Sequence, residues 1–461
     1  MMEIIESPSE YGDRYEFGAI TGATKAVAGI KGCGVVLHAV SGCTIETSHL
    51  RSGGPVAAGY YLPLQETNMG PMESVHGQNV PLIVETAKRL FGKGAGAGKK
   101  PNLLFIFTGC GPSIIEDDIT RAAHIIEEEE GVPTIAVDTA SFLGGFAMGA
   151  EMSWCAVLDR YCTEHEEKKG INLIGPQLMG SNNWPEDILE IKRLLAAADV
   201  PVNHTLFHDI KVEQLPEISK AKSNLFLSYD DFSDFEERIE DLGMDICGQD
   251  LVLPVGIHNT EEWYLTIAKE FGDEDKAKAQ MATDMELVRK RTKLGYTPSW
   301  MLTAMFGKRI SILGPAPFAA ALARSTFYDF NMRPVVIGLL SETDEGLERA
   351  EKILEPMSEY LDFEVMENPT FFDYGNKIEE AGVVFAIGQR NDGHLAEGLG
   401  IPHILLTGPH YMNHWDLFPW PFFGVRGSLY LAGELWKGTF AGIRQPGLWQ
   451  MNRYQSRDAK E

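Results

Sequence analysis

The sequence predicts an α/β protein made of three Rossmann-like domains, each a doubly wound parallel sheet. Short and almost wholly apolar runs recur along the chain, among them LLFIFT from Leu103, ISILG from Ile310 and PVVIGLL from Pro334. Runs of this kind are typical of strands buried on both faces, and such strands form parallel sheets. Helical stretches lie between them, for example DILEIKRLLAAA from Asp187, and this alternation is the order of a doubly wound fold.

Other apolar runs are predicted as strands of the same sheets: VVLHAV from Val35, TIAVDT from Thr134, INLIG from Ile171, NLFLSY from Asn224, LVLPVG from Leu251, VVFAIG from Val383 and HILLTG from His403. Two breaks divide the series. One is the charged stretch CTEHEEKKG, and the other lies just before the strand predicted from Arg309. They predict α/β domains at 1–168, 169–300 and 301–461, of which the last carries an aromatic C-terminal segment.

Composition excludes several classes of protein. The chain has 461 residues, with 40 basic and 66 acidic side chains and a net charge of −26, so phosphate backbones and anionic lipids are repelled. We expect no nucleic-acid partner and no membrane association, because no apolar run reaches about 18 residues and the N-terminus lacks a signal-peptide core. Six cysteines are too few for a disulfide framework, and they point to a reducing cytoplasm.

Common motifs for nucleotides and metals are missing. The loop GKGAGAGKK has the wrong spacing for a phosphate-binding loop, and ILGPAPFAAALA lacks the G-x-G-x-x-G pattern. No H-E-x-x-H or C-x-x-C sequence is present. We therefore expect no nucleotide on this chain, and we interpret four cysteines as structural: Cys33, Cys155, Cys162 and Cys247.

Two cysteines and a serine each follow a predicted strand. Cys43 comes after VVLHAV, Cys110 after LLFIFT and Ser141 after TIAVDT, and Gly42, Gly111 and Gly144 flank them. In an open parallel sheet the carboxyl ends of the strands share one edge, where ligands bind. Soft thiolates on rigid strand ends suit iron–sulfur ligation, although ordinary strand-end cysteines remain the alternative. A [4Fe–4S] cluster takes four ligands, so a second chain would supply the others.

These stretches resemble the catalytic components of the nitrogenase superfamily. That superfamily includes nitrogenase, the dark-operative protochlorophyllide and chlorophyllide reductases, a nickel-tetrapyrrole cyclase and the methylthio-alkane reductases. The resemblance extends from about Tyr15 to Leu431. The segments VVLHAVSGC and FIFTGCGPSIIEDDI look like those that bear cluster cysteines, at Cys43 and Cys110. VDTASFLGGFAMG looks like the β-type segment whose serine lies close to the cluster, at Ser141.

The chain departs from the nitrogenase pattern at two places. No cysteine lies between Tyr15 and Gly32, where β-type chains carry a further cluster ligand. Either Glu16 or Thr21 replaces that ligand, or the cluster is smaller than the eight-iron one. Ser228 stands where α-type chains have the cysteine that holds the active-site cofactor. The resemblance therefore implies either a 4Fe-4S or a P-cluster-like cofactor that is shared with a partner subunit.

The resemblance also implies the partners and the chemistry. A homologous α-type subunit would complete an α2β2 complex, and an ATP-dependent iron protein would deliver single electrons to the cluster. His410 and His414 fall where relatives line the substrate cavity, and together with His38 they are candidate proton donors. The alternative for His410 and His414 is an aromatic subunit interface.

Several functions fit this sequence. The first is the β-type subunit of a reductase acting on a small molecule, such as the C–S bond of methylthio-alkanes. A tetrapyrrole reductase or cyclase subunit is the alternative within the same chemistry. A non-catalytic scaffold for iron–sulfur cofactor assembly is the next, and a metal-free α/β binding protein with incidental cysteines is the last.

Overall fold

The computed structural model of the chain describes residues 2–6, 18–43, 62–77, 79–93, 100–166, 168–175, 184–206, 208–227, 232–293, 304–407 and 420–444. Its strands are β1 (Met2–Glu6), β2 (Ile30–Lys31), β3 (Cys33–His38), β4 (Leu64–Glu66), β5 (Leu103–Thr108), β6 (Thr134–Val137), β7 (Ile171–Ile174), β8 (Val202–Leu206), β9 (Ile210–Lys211), β10 (Ser223–Phe226), β11 (Asp245–Cys247), β12 (Arg309–Pro315), β13 (Arg333–Leu340), β14 (Phe363–Glu367), β15 (Phe385–Gly388) and β16 (His403–Leu405).

The helices alternate with these strands. They are α1 (Ala19–Val27), α2 (Pro71–His76), α3 (Val80–Lys93), α4 (Cys110–Ile114), α5 (Ile119–Glu130), α6 (Phe146–Tyr161), α7 (Trp184–Ala197), α8 (Ser233–Asp241), α9 (Ile257–Phe271), α10 (Glu274–Lys293), α11 (Ala316–Tyr328), α12 (Asp344–Leu354), α13 (Phe371–Glu380), α14 (Arg390–Gly398) and α15 (Gly424–Arg444). Short 3₁₀ helices cover Val212–Lys220 and Glu355–Glu359. No helix in the described part of the chain has the length and apolarity needed to cross a membrane.

The strands form parallel sheets. Their orders are β4-β3-β5-β6, β11-β10-β7-β8, β1-β14-β13-β12-β15-β16 and the small pair β2-β9. Every pairing between the named strands is parallel. Since helices connect the strands, the predicted α/β class with Rossmann-like parallel sheets is confirmed.

Contacts along the chain group it into two compact units. One unit comprises residues 15–178 and 202–247 and holds the sheets β4-β3-β5-β6 and β11-β10-β7-β8. The other comprises 1–14, 179–201 and 248–461 and holds the six-stranded sheet. Within it, β1 from the start of the chain pairs with β14. The boundaries 1–168, 169–300 and 301–461 stay a prediction.

The run LVLPVG from Leu251 is not a strand, contrary to the prediction. Only Val255 takes part in pairing, through an isolated antiparallel bridge to Phe423. Pro254 has no amide hydrogen to donate to a sheet, and Gly256 adopts a φ of 87° that turns the backbone out of the extended conformation. Residues 252–256 are nevertheless buried. The apolar composition of the run is therefore explained by its burial as an irregular segment.

Helices α1 and α6 pack with their backbones in direct contact. A Cβ added at Gly149 would lie 1.9 Å from the carbonyl oxygen of Ala19, and one added at Gly22 would lie 1.8 Å from that of Phe146. Since backbone cannot yield as a flexible side chain does, both positions require glycine. This packing places the start of α1 beside the loop that precedes α6.

We expect Gly149→Ala to lower the free energy of unfolding by about 1–3 kcal/mol, because α1 and α6 must separate to admit the methyl group. The measurement is the urea midpoint of the chain. Gly433→Ala on α15 is the control, since an added Cβ there meets nothing within 4 Å. Equal midpoints for the two variants would contradict the close packing of α1 on α6.

Candidate functional site

The candidate site lies at the carboxyl edge of the sheet β4-β3-β5-β6. Strand β5 pairs with β3 on one side and with β6 on the other, and every residue of β3 and β5 is buried. The chain leaves these strands towards Cys43, Cys110 and Ser141 respectively. Since all the pairings are parallel, the three loops emerge side by side, as the sequence predicted.

Close contacts join the three residues. The backbone N–H of Ser141 donates a hydrogen bond to Cys110 Sγ at 3.3 Å. A Cβ built on Gly109, the residue before Cys110, would lie 3.7 Å from Cys43 Sγ. Both thiol side chains are partly exposed. The structure therefore brings the two sulfurs and the serine to one edge and leaves the sulfurs accessible.

The three flanking glycines differ in the amount of free space beside them. An added Cβ would meet nothing within 4 Å at Gly42, and at Gly111 it would make only an ordinary 3.8 Å contact with Val40. At Gly144 it would lie 2.1 Å from the Met148 sulfur, so that the space there is already filled by a methionine side chain. Room for a bulky group thus lies beside Gly42 and Gly111.

The start of α1 approaches Ser141. Gly18 forms an isolated antiparallel bridge with Gly145, and a Cβ on Gly18 would lie 1.9 Å from Ser141 Oγ. Thr21, one of the residues considered in place of the absent cysteine, is buried in α1 with 1% of its surface exposed. Glu16 lies outside the described residues. The glycine at position 18 lets the backbone approach the side chain of Ser141, which stays exposed.

His38, at the end of β3, belongs to a buried polar network. Its Nε2 lies 2.9 Å from Asp117 Oδ2, and Asn79 donates to the same carboxylate oxygen at 2.7 Å. Its Nδ1 lies 3.1 Å from the Thr67 hydroxyl. Burial lowers the pKa of His38, and the hydrogen bond and charge of Asp117 only partly oppose this. A neutral ring that donates from Nε2 to Asp117 and accepts from Thr67 satisfies both nitrogens.

The lowered pKa predicts a pH dependence of stability. In the unfolded chain a histidine takes up a proton near pH 6.5, whereas folded His38 resists protonation. Stability should therefore fall as the pH drops from about 7.5 to about 5.5, by at most about 1.4 kcal/mol per pH unit from this residue. His38→Gln, which keeps a donor for Asp117, should flatten the slope of the urea-unfolding free energy against pH.

Two other histidines matter for the interpretation of the pH slope, His204 and His124. His204 also has a pKa lowered by burial, so part of the slope will remain in the variant. His124→Gln changes an exposed histidine on α5 and is the control. A slope in His38→Gln as steep as in the His124→Gln control would contradict the assigned network.

The other cysteines have structural surroundings. Burial raises the pKa of Cys33 and of Cys155 to about 12 and that of Cys162 to about 11, so all three stay protonated thiols. Cys33 donates to the carbonyl of Val27 and lies at the amino end of β3, opposite to Cys43. Cys247 ends β11 and donates to the carbonyl of Asn224.

Besides Glu16, three candidate residues from the sequence cannot be placed. His410, His414 and Ser228 lie outside the described residues. Among the residues that are described, no group of three or more His, Cys, Asp or Glu side chains could hold a metal ion.

Large apolar side chains are exposed around the cysteine edge. Ile114 ends α4, the helix that begins with Cys110, and Phe142 and Leu143 directly follow Ser141. Met72 and Val75 lie on α2, just after the bridge that pairs Met69 with Val40. We name these residues the apolar rim: Met72, Val75, Ile114, Phe142 and Leu143. Where such side chains form one contiguous patch, they mark an interaction site.

The fold is that of nitrogenase-type proteins. A solved structure described as "Nitrogenase Cp1 at pH 6.5" superposes with a TM-score of 0.76 at 19% identity, covering 96% of both chains. Another, described as "Nitrogenase Cp1 at pH 5", gives a TM-score of 0.74 at 17% identity and covers 96% of this chain and 91% of that chain. At these identities the likeness establishes the fold.

Sequence comparison establishes the family. The profile of the family described as "Nitrogenase component 1 type Oxidoreductase" matches residues 19–438, so the chain belongs to this family of oxidoreductases. The predicted resemblance is thereby confirmed at the level of the superfamily, while the β-type assignment stays a prediction.

The chain is similar to curated proteins of two kinds. A subunit of the light-independent protochlorophyllide reductase of Jannaschia sp. is 22% identical over 333 residues, covering 71% of this chain and 60% of that protein. The corresponding subunit from Heliobacterium modesticaldum is 22% identical over 393 residues, covering 83% and 70%. The nitrogenase molybdenum-iron protein alpha chain of Methanothermobacter thermautotrophicus is 20% identical over 464 residues, covering 96% and 88%.

Proposed function

We propose that the chain is a β-type subunit of the catalytic component of a nitrogenase-like, ATP-dependent reductase. It holds part of an iron–sulfur cluster at the interface with a homologous α-type subunit, in an α2β2 complex located in the cytoplasm. A separate iron protein hydrolyses ATP and delivers electrons to this cluster. The observation that carries the proposal is the meeting of Cys43, Cys110 and Ser141 at one accessible sheet edge.

The residues at this edge fit the cluster. Cys43 and Cys110 would supply thiolate ligands, and both are held on loops that leave rigid, fully buried strands. Ser141 donates its backbone N–H to the sulfur of Cys110. The cluster, when bound, supplies one-electron transfer. Two thiolates leave further ligand positions to be filled, and the proposed α-type chain fills them.

For the substrate we propose a small molecule with a C–S bond, such as a methylthio-alkane. This proposal is supported by the β-type character of the sequence, because in that arrangement the partner chain holds the cofactor at which the substrate reacts. A tetrapyrrole is the second candidate, and it is favoured by the similarity to subunits of light-independent protochlorophyllide reductases. His410 and His414 are the residues that we propose for proton delivery in either reaction.

The test is reconstitution under anaerobic conditions. The chain is co-purified with the homologous chain encoded beside it and mixed with the cognate iron protein, ATP and reductant. We expect turnover of a methylthio-alkane that requires ATP and both components. Turnover of a protochlorophyllide-type tetrapyrrole instead would transfer the proposal to the second candidate.

Two other outcomes would overturn the proposal. If the complex passes its cluster to another protein and turns over neither substrate, the chain is an assembly scaffold. A colourless and iron-free complex is a metal-free binding protein, in which the cysteines are incidental.

A further inference from the structure

Asp138 connects the two loops that carry Cys110 and Ser141. It follows β6, and each of its carboxylate oxygens accepts a short hydrogen bond from the Cys110 side. The Thr108 hydroxyl donates to Oδ1 at 2.5 Å, and the Ser113 hydroxyl donates to Oδ2 at 2.6 Å. Thr108 lies two residues before Cys110, and Ser113 lies three residues after it. The carboxylate therefore holds the Cys110 segment from both ends.

The same carboxylate also shapes the Ser141 loop. The backbone N–H of Ala140 donates to Asp138 Oδ1 at 3.2 Å, so the side chain folds back on its own turn. Leu143 N–H then donates to the carbonyl of Ala140 at 2.9 Å and closes the next turn. Ser141 lies between these two bonds, which leave its own N–H directed at Cys110 Sγ.

A second pair of hydrogen bonds joins the same segments. Thr139 N–H donates to the Thr108 hydroxyl oxygen at 3.2 Å, and the Thr139 hydroxyl donates to the Thr108 carbonyl at 2.8 Å. Both threonines are buried, with 2% and 0% of their surface exposed for Thr108 and Thr139. The threonine bonds are shielded from water and hold these two segments in one arrangement, whereas Asp138 is half-buried and Ser141 is exposed.

We propose that Asp138 is a positioning residue that sets the hydrogen bond between the Ser141 amide and the Cys110 sulfur, and through it the reduction potential of a cluster bound there. The inference rests on the proposed function for the cluster, but the positioning itself is a property of this chain alone. An amide hydrogen bond to a ligating sulfur stabilises the more negative, reduced state of a cluster and raises its potential. Loss of Asp138 should therefore lower that potential.

The first measurement needs no cluster. Hydrogen–deuterium exchange is followed by mass spectrometry on the metal-free chain, in the segment 139–143. With Asp138→Ala we expect exchange at the Ser141 amide, resolved by fragmentation to single residues, to be faster by about tenfold or more, because that amide loses its hydrogen bond to Cys110 Sγ. The Ala140 amide loses its own bond to Asp138 directly, so its exchange does not count towards the test. Exchange in β3 should stay unchanged, which separates a local effect from general unfolding. Exchange at the Ser141 amide that stays at the wild-type rate would overturn the positioning role.

The second measurement is an EPR-monitored redox titration of the anaerobic complex. We expect a lower midpoint potential in Asp138→Ala and a smaller decrease in Ser113→Ala, which removes only one of the bonds to the carboxylate. Asp159→Asn is the control, because that exposed carboxylate pairs with Arg238 on the surface of the same unit. An unchanged potential in Asp138→Ala would overturn the link to the cluster.

The two measurements separate the proposals. If no variant and no wild-type preparation holds iron, the proposed function fails, and the exchange experiment still decides whether Asp138 positions the loop. If iron is bound and exchange is unaffected, the cluster stands and the role of Asp138 is rejected.

Discussion

Replacing Cys110 by alanine should remove the iron–sulfur signal from the purified complex. The Sγ of Cys110 accepts a hydrogen bond from the Ser141 backbone N–H. Cys110 lies just beyond the end of the fully buried strand β5, so its loss leaves a ligand position empty at a rigid edge. A cluster that takes four ligands loses one of them outright. Cys43→Ala should have the same effect, because Cys43 Sγ lies 3.7 Å from the position that a Cβ on Gly109, the residue before Cys110, would take. Iron content and the EPR spectrum of the anaerobic complex are the measurements.

The control for this experiment is Cys247→Ala, since that cysteine is also partly exposed and ends a strand of another sheet. It should keep the full iron content. Urea midpoints of the metal-free chains identify any variant that has merely failed to fold. Cys43→Ala and Cys110→Ala proteins that are folded and still hold the iron of the wild type would reject the site.

The strands around the site could be predicted from the sequence because burial on both faces leaves a nearly continuous apolar run without proline. The predicted runs VVLHAV and LLFIFT correspond to β3 and β5, which are neighbours in the sheet. The residues just beyond such strands are then brought to one edge by topology alone. Cys43, Cys110 and Ser141 could be grouped for this reason, without knowledge of any distance.

Other features had no local signal. Asp138 is a single acidic residue after a strand, and nothing in its neighbouring sequence indicates a role. Its partners Thr108 and Ser113 lie 30 and 25 residues away in the chain, so its hydrogen bonds are visible only in the folded structure. The run LVLPVG has the composition of a buried strand but is broken by proline and glycine chemistry. β1 joins a strand more than 350 residues further along the chain. Such long-range pairings depend on the whole fold.

Phe142→Glu should strongly weaken the association of this chain with its proposed α-type partner. Phe142 is 57% exposed, lies directly after Ser141 and belongs to the apolar rim. A cluster shared between two chains must lie within their interface, so this rim would be covered in the complex. Burial of a phenylalanine stabilises by about 1.5–3 kcal/mol, and forcing a carboxylate into the same place adds a desolvation cost. Affinity should fall by about 30-fold or more, as for a central interface residue.

Phe372→Glu is the matched control. Phe372 lies on α13 in the other compact unit, and it is even more exposed, at 74%. The same chemical change there should leave the association intact. The measurement is anaerobic co-purification followed by a titration of affinity, with iron content read on the same samples. Because the cluster needs ligands from both chains, Phe142→Glu should lose iron in parallel with the partner although Cys43 and Cys110 are unchanged. Retention of the partner at wild-type affinity would show that the apolar rim faces something else, and the cluster could not then be shared across it.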